Sequence, residues 1–414
     1  MTRQYRIGIV GFGIAGGAAA CLLARQGHSV TVFERAPQVG PVGTGLLLQL
    51  SGQTVLHRLG LLDPILAKSE PLTGLHAYMP NGKTLIHLRY AEVMQGHCGY
   101  GVHRGTLFEA LRSAARADGI AICLDHEILD WREEGETVYA VSADGEEEGP
   151  FDFLIAADGS RSHFRQRLLP KCPAVEYSYG ALWMLGRNTQ VRGYLHQVIS
   201  GTQQLLGLIP IGNERCTLFW GMRQDAMFAL RERGVAAWRE AVLRLCPLAE
   251  ETLEGVESFD QVAFTSYRHS VPSRAFHGRV VCLGDAAHSM SPHLGQGANF
   301  ALLDAARFAD ALQQTESLSE ATVRYHHARR PAMRYYAALS RFLTPFFQSD
   351  VALLGWGRNV ALPLICSIPP LRHEMTRAMA GIKQGLLVPN LDYETLLSAE
   401  MLPPAHENRT YREA

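Results

Sequence analysis

Apolar residues follow three rhythms along this chain. Short unbroken runs read as buried strands, at residues 5–10, 29–33, 151–157 and 279–281. Recurrence every three or four positions predicts helices over 14–26, 51–60, 107–118, 300–312 and 322–347, with Thr106 capping the third. Alternation marks 73–89, around the pair Asn81-Gly82, and returns over 177–187, 193–200, 203–211 and 214–223. Such alternation belongs to strands with one covered face, and Asn-Gly belongs to a hairpin turn. Further strands are expected at 120–124, 127–133 and 137–142, and helical stretches at 226–245 and 248–256, after which 261–271 leads back to the strand at 279.

Strand–helix blocks flank the alternating block, which predicts an α/β protein. The expected layout is a doubly wound nucleotide-binding domain from 1–72, 97–172 and 268–340. A mostly antiparallel substrate sheet from 73–96 and 173–267 is inserted in it, and 341–414 form a helical C-terminal part. Residues 346–371 are apolar but broken by Asp350, Arg358, Pro363 and Pro369, so no membrane span is expected. That tail is expected to cover the mouth of a substrate pocket, with peripheral membrane contact as the competing role.

Candidate chemistry sits at the ends of the buried strands. Gly11-x-Gly13-x-x-Gly16 follows the first strand and opens a helix, and Glu34 ends the second. Glycines there let backbone and helix N-terminus meet a pyrophosphate, and the acid takes ribose hydroxyls. With 39 glycines in 414 residues, chance yields such a triplet about 0.35 times per chain, so the flanking strand, helix and acid carry the reading. Another strand ends in Asp158-Gly159-Ser160-Arg161-Ser162, and Arg104 precedes a helix, well placed for a pyrophosphate. The most informative stretch is Gly284-Asp285-Ala-Ala-His288, running on through Pro292, His293, Gly295, Gln296, Gly297, Ala298 and Asn299 into a helix. It suits a polyhydroxylated chain beside Asp285 and a group that becomes anionic at the helix N-terminus. A reduced flavin has both.

Formal net charge is -1, which gives no support for a nucleic-acid surface. The eight cysteines, Cys172 among them, form no C-x-x-C pair, so neither a metal site nor a disulfide scaffold is expected. No signal-like apolar core precedes the first strand, and a cytoplasmic location is expected.

The order and spacing of three motifs resemble the single-component FAD-dependent aromatic hydroxylases, the group typified by p-hydroxybenzoate and salicylate hydroxylases. They are the glycine turn with Glu34; Ala157-Asp158-Gly159-Ser160-x-Ser162-x-x-Arg165; and Gly284–His288 with Pro292-x-x-Gly295-Gln296-Gly297-x-Asn299. The likeness spans residues 5–312. It implies a glutathione-reductase-like Rossmann domain for FAD, with NADPH or NADH as reductant and O2 as co-substrate. It also implies hydroxylation of a phenol-like or N-heteroaromatic small molecule through a flavin C4a-hydroperoxide.

By the same resemblance Gly11, Gly13, Ala15 and Gly16 hold the FAD pyrophosphate, and Glu34, with Arg35 beside it, serves the adenosine side. Arg104 contacts FAD, Asp158 and Gly159 serve FAD and the nicotinamide cofactor, and Asp285 binds the ribityl chain. Pro292, His293 and Gly295 are the implied catalytic positions, with Gln296, Gly297, Ala298 and Asn299 along the flavin edge. His288 is expected to be a structural hydrogen bonder. Trp183, Trp220 and Arg268 are candidate pocket residues on the inserted sheet. A flavin-dependent halogenase would need a tunnel lysine and a Trp-x-Trp-x-Ile-Pro segment. That segment is absent, and Lys83 follows a hairpin Asn-Gly. A non-oxygenating flavin reductase would share the FAD motifs, and so would a non-catalytic flavin-binding protein. The intact Asp158-Gly159 and 292–299 loop argue against the second of these.

Overall fold

The computed structural model describes residues 3–38, 44–170 and 174–405, which leaves Cys172 outside the described residues. β1 (Arg6–Val10), α1 (Ile14–Arg25) and β2 (Ser29–Phe33) form a β-α-β unit. β3 (Gly45–Leu48), α2 (Leu50–Arg58), α3 (Leu62–Leu66) and β4 (Glu70–Leu72) follow. The hairpin β5 (Gly74–Tyr78) and β6 (Thr84–Arg89) precedes β7 (Gly99–His103), α4 (Arg104–Ala117) and β8 (Ala121–Cys123). A meander, β9 (Ile128–Glu134), β10 (Thr137–Ser142) and β11 (Glu147–Phe151), leads to β12 (Phe153–Ala156) and α5 (His163–Leu168).

The alternating block gives β13 (Val175–Arg187), β14 (Tyr194–Ser200), β15 (Gln204–Pro210) and β16 (Arg215–Arg223). α6 (Gln224–Glu232) and α7 (Gly234–Leu245) are followed by β17 (Ala263–His269), β18 (Phe276–His277) and β19 (Val280–Cys282). The rest is helical: α8 (Gly297–Gln313), α9 (Leu318–Phe347), α10 (Ala352–Ser367), α11 (Pro369–Met379) and α12 (Tyr393–Ser398).

Three expectations need correction. Helix α4 begins at Arg104, not Leu107; His103 is its N-cap residue, and Thr106 lies inside the first turn. The stretch 226–245 is two helices, because Gly234 at φ +86 breaks it. Residues 248–256 form only short 3-10 turns. The tail is helical through Pro363, and no helix among the described residues is long and apolar enough to cross a membrane.

The first sheet has the order β18-β19-β12-β1-β2-β8 and is parallel apart from β18. Its central strands β19, β12 and β1 are buried on both faces. Ile7, Ile9 and Ile155 pack against α1 and α8, while Val10, Leu154 and Ala156 pack against the meander and α5. Burial on both sides is what near-continuous apolar strands require. The second sheet, β17-β13-β16-β15-β14-β5-β6, is antiparallel except for β14 beside β5. One of its faces is covered by α6 and α7. The other packs against residues of α8 and α9, including Phe300, Met333 and Tyr336.

Candidate active site

Register alone brings the motifs together. Val10 pairs with Phe33 on one side and Ala156 on the other, and Ala156 pairs with Cys282. Four parallel strands therefore end at one edge, and the chain leaves them through Gly11, Glu34, Ala157–Asp158 and Leu283–Asp285. The crevice outside the carboxyl ends of such strands is where open α/β sheets bind ligands.

At its first strand the turn is set by Gly11, at φ +94, whose N–H donates to the Phe33 carbonyl at 2.8 Å. A Cβ at Gly16 would lie 2.0 Å from the Gly11 oxygen, so helix and turn meet only because Gly16 has none. Gly13 and Gly159 face open space. Helix α1 has no side-chain cap and no acid in its first turn, so its leading N–H groups remain free for an anion. Glu34 accepts the Phe12 N–H at 2.7 Å and the Ala36 N–H at 3.0 Å, tying β2 to the turn while keeping lone pairs for a hydroxyl. Arg35 reaches into solvent, 3.8 Å from Glu127. The Ala15 methyl packs toward Gly284, where an added Cβ would lie 2.9 Å away, so only its backbone faces the crevice.

Asp285 is solvent-accessible yet densely ringed by protein, the position of a side chain on a cleft wall. Its carboxylate accepts no hydrogen bond among the described residues, although its backbone oxygen accepts two, from Arg165 and from Ser289 Oγ. Desolvation pushes the Asp285 carboxyl above the usual range, against the pull of His288, Arg104 and Arg165. Beside it α8 begins at Gly297, again without a side-chain cap or a first-turn acid. Asp158 is similar: Oδ2 accepts the His163 N–H at 2.9 Å, Oδ1 has no partner, and burial raises its pKa. Arg165, 1% exposed, fastens these two loops. It donates to the Asp285 carbonyl at 3.0 Å, Ala286 at 3.3 Å and Ser160 at 2.6 Å.

Behind this open edge lies a closed cluster that the motifs do not reveal. Asp304, fully buried in α8, accepts the Gly284 N–H at 2.9 Å, bonds His288 Nε2 at 2.5 Å and accepts from Arg329 Nε at 2.6 Å. Burial opposes its ionisation, but His288 and Arg329 outweigh that and hold it at about 2. The available signal was a carboxylate inside the apolar stripe Leu302-Leu303-Asp304-Ala305-Ala306.

The loop before α8 turns at Gly295, φ +62, whose N–H donates to the Pro292 carbonyl at 2.9 Å. Pro292 is exposed, and Gly297 and Ala298 retain at least partial exposure. The side chains of Gln296 and Asn299, however, are spent on protein. Gln296 donates to the carbonyls of Leu294 at 3.1 Å and Met379 at 2.7 Å. Asn299 donates to Leu47 at 3.0 Å and accepts the Gln49 N–H at 2.8 Å. Both lock the loop's shape, although Gln296 Oε1 is buried without a partner among the described residues. His293 bonds Ser291 Oγ through Nδ1 at 2.9 Å, and Ser291 Oγ lies 2.7 Å from Ser340 Oγ and 3.1 Å from Thr344 Oγ1. The other nitrogen, Nε2, has no partner, and burial pulls His293 down to about 4.

Strand parity separates the pocket candidates. Trp183 pairs with Phe219 across β13 and β16, their rings 5.3 Å apart, and Phe219 packs toward the side shared with α8 and α9. Trp220 points the opposite way, fully buried with Trp238 and Met227 under α6 and α7, because successive strand residues alternate faces. It belongs to a core, not a pocket. Arg268 lies 3.7 Å from the half-exposed Glu176 on β13, and its Nε is buried without a hydrogen-bond partner among the described residues. Lys83 is exposed at the β5–β6 hairpin.

Open glycine backbone, an unpartnered carboxylate and two uncapped helix N-termini at one edge fit a dinucleotide carrying a hydroxylated chain, as FAD does. Comparison with known proteins agrees. Residues 4–339 match the family model described as FAD binding domain. The chain is 31% identical over 406 residues to kynurenine 3-monooxygenase of Salinispora arenicola, covering 92% of this chain and 88% of that one. It is 28% identical to a probable 2-heptyl-3-hydroxy-4(1H)-quinolone synthase of Rhodococcus erythropolis, covering 80% and 86%. Klebsiella pneumoniae HpxO, solved with FAD and uric acid, superposes with a TM-score of 0.77 at 20% identity, covering 91% and 97%. Built around this crevice, the chain belongs to the FAD-binding-domain family and is a flavoprotein monooxygenase of aromatic compounds.

Proposed function

We propose that this monooxygenase hydroxylates a neutral, electron-rich phenolic or N-heteroaromatic ring, with NADH or NADPH as reductant. The observation that carries the reading is His293, an uncharged imidazole in the loop before α8 with Nε2 free. With Nδ1–H donating to Ser291 Oγ, that nitrogen can accept a hydrogen bond from a substrate hydroxyl or ring N–H, which orients the ring without charging the imidazole. Ser291 holds Nδ1 meanwhile and keeps the imidazole oriented. Relatives named for kynurenine and a quinolone support an aromatic, nitrogen-bearing substrate.

FAD, when bound, supplies electron storage and oxygen activation. Gly11, Gly13, the α1 N-terminus and Arg104 would hold its pyrophosphate, and Glu34 the adenosine ribose. Asp285 would hold the ribityl hydroxyls, and Asp158 with Gly159 the adjoining groups. Backbone N–H groups from Gly295 to Asn299 would stabilise negative charge at the ring's pyrimidine edge. Trp183, Phe219 and α9 exclude water from the reacting ring.

The test is anaerobic flavin bleaching by NADPH or NADH, with and without 4-quinolones, phenols and benzoates, followed by admission of labelled oxygen. A quinolone or phenol should accelerate bleaching and gain one labelled oxygen. Strict preference for charged benzoates would contradict the substrate class, and a product without label would point to a reductase.

A further inference from the structure

Buried polar atoms without partners are rare in a folded protein, and each one asks what completes it. Among the described residues Gln348 is the only buried amide with neither end bonded. It is 4% exposed, and both Oε1 and Nε2 lack a hydrogen-bond partner. Leaving such a group unmet costs more than an ordinary hydrogen bond contributes. Only its backbone serves the fold: Gln348 is the C-cap residue of α9, and its N–H donates to the Thr344 carbonyl at 2.7 Å.

Position assigns the amide to the pocket side of the second sheet. A Cβ added at Gly221 on β16 would lie 2.4 Å from Gln348 Nε2, so the side chain rests on bare backbone there. Gly221 lies two residues from Phe219 and pairs with Ala181, itself two residues from Trp183. By alternation all four belong to the face turned toward α8 and α9. Tyr267 of β17 adjoins the amide: burial pushes its phenol up, and Gln348 pulls against that. The end of α9 also meets the loop that carries His293. The ring of Phe347, next to Gln348 in the chain, lies 6.0 Å from the His293 ring. Thr344, one turn earlier, is 3.1 Å from Ser291 Oγ, the partner of His293.

We infer that Gln348 is the specificity-determining residue of the substrate pocket, its amide pairing with a lactam edge, a ring N–H beside a C=O. A primary amide presents a donor and an acceptor side by side, and so pairs bidentately with an adjacent acceptor and donor on a heteroaromatic ring. A phenol hydroxyl meets one end of the amide and leaves the other bare. A carboxylate sets an oxygen against Oε1. The inference rests on the neutral-ring reading above and narrows it to N-heteroaromatic rings with that edge.

The test is titration of the full-length, FAD-loaded protein with four bicyclic probes, read by the change in flavin absorbance. The probes are 2-quinolone, its N-methyl derivative, 2-naphthol and 2-naphthoate. Wild type should bind 2-quinolone roughly 10- to 100-fold more tightly than the N-methyl derivative or 2-naphthol. Gln348→Leu should erase that margin with FAD content unchanged. Its thermal melt should be unchanged or raised, because an apolar side chain replaces a buried amide without partners. Gly221→Ala, whose methyl would push the amide aside, should narrow the margin as well. Equal affinity for 2-quinolone and 2-naphthol, no binding of 2-quinolone, or a margin that survives Gln348→Leu would overturn the inference and leave the neutral-ring reading standing. A lowered melt with lost FAD in Gln348→Leu would make the amide a structural prop and equally overturn it. Preference for 2-naphthoate over all three neutral probes would overturn the neutral-ring reading, and this inference with it.

Discussion

Asp285 and Asp304 belong to the same short stretch of chain and have opposite surroundings. Asp285 opens onto the crevice and accepts nothing from the described protein; Asp304 is sealed inside and accepts from a backbone N–H, an imidazole and a guanidinium. The difference separates a group left open to a ligand from a group that holds the fold. Asp285 is exposed, so water completes it until a hydroxylated ligand takes its place, whereas a carboxylate as buried as Asp304 must find its partners in the protein. A satisfied one, equally charged, fixes the Gly284 turn from which Asp285 projects.

The comparison breaks most visibly at Asp304. Asp304→Ala should destabilise the protein by about 3–5 kcal/mol, because Arg329 would remain buried without its counter-ion. A thermal melt of the flavin-free protein reads this directly; an unchanged midpoint would remove Asp304 from its structural role. Since the Asp304 pKa is held at about 2, its contribution should be complete above the ordinary carboxylate range and fade as pH falls toward 2.

The two tryptophans should divide in the same way. Trp220→Ala should cost about 3–5 kcal/mol of stability from its buried position. Trp183→Ala should leave the melt nearly unchanged and weaken substrate binding, read by the substrate concentration that half-maximally accelerates flavin bleaching. Equal melts for both variants would contradict the assignment of opposite faces.

His293 gives a smaller, pH-dependent effect. Its folded value of about 4 lies below the ordinary 6.5, so the unfolded chain takes up the proton first. Stability should be full above pH 6.5, decline as pH falls toward 4 and level off below. His293→Gln should flatten part of that slope in urea titrations. His28, also pulled down to about 4 by burial, and the other histidines that burial lowers, such as His196 and His269, would keep the remainder. Identical slopes for variant and wild type would mean that His293 is solvated rather than held neutral.

Strand ends were the most legible part of the chain. Apolar runs ending in Gly or Asp predict the parallel strands, and parallel register then brings Gly11, Glu34, Asp158 and Asp285 to one edge. What periodicity does not encode is which part of a loop residue faces the ligand. Gln296 and Asn299 sit in the flavin motif, yet their side chains tie the loop to Met379 and Leu47, far along the chain in either direction. Trp183 and Trp220 could not be assigned to faces without the β13–β16 register, in which Trp183 opposes Phe219 and Trp220 opposes Leu182. The break at Gly234 and the early start of α4 reflect local turn geometry that the apolar pattern passes over.

The most direct test of the account is FAD affinity for Asp285→Ala beside the melt of its flavin-free form. Loss of a charge-assisted hydrogen bond worth about 1.5–3 kcal/mol should weaken FAD binding by roughly 10- to 150-fold, with the melt unchanged. Full flavin occupancy at wild-type affinity would contradict the claim that this open carboxylate is where the cofactor is held.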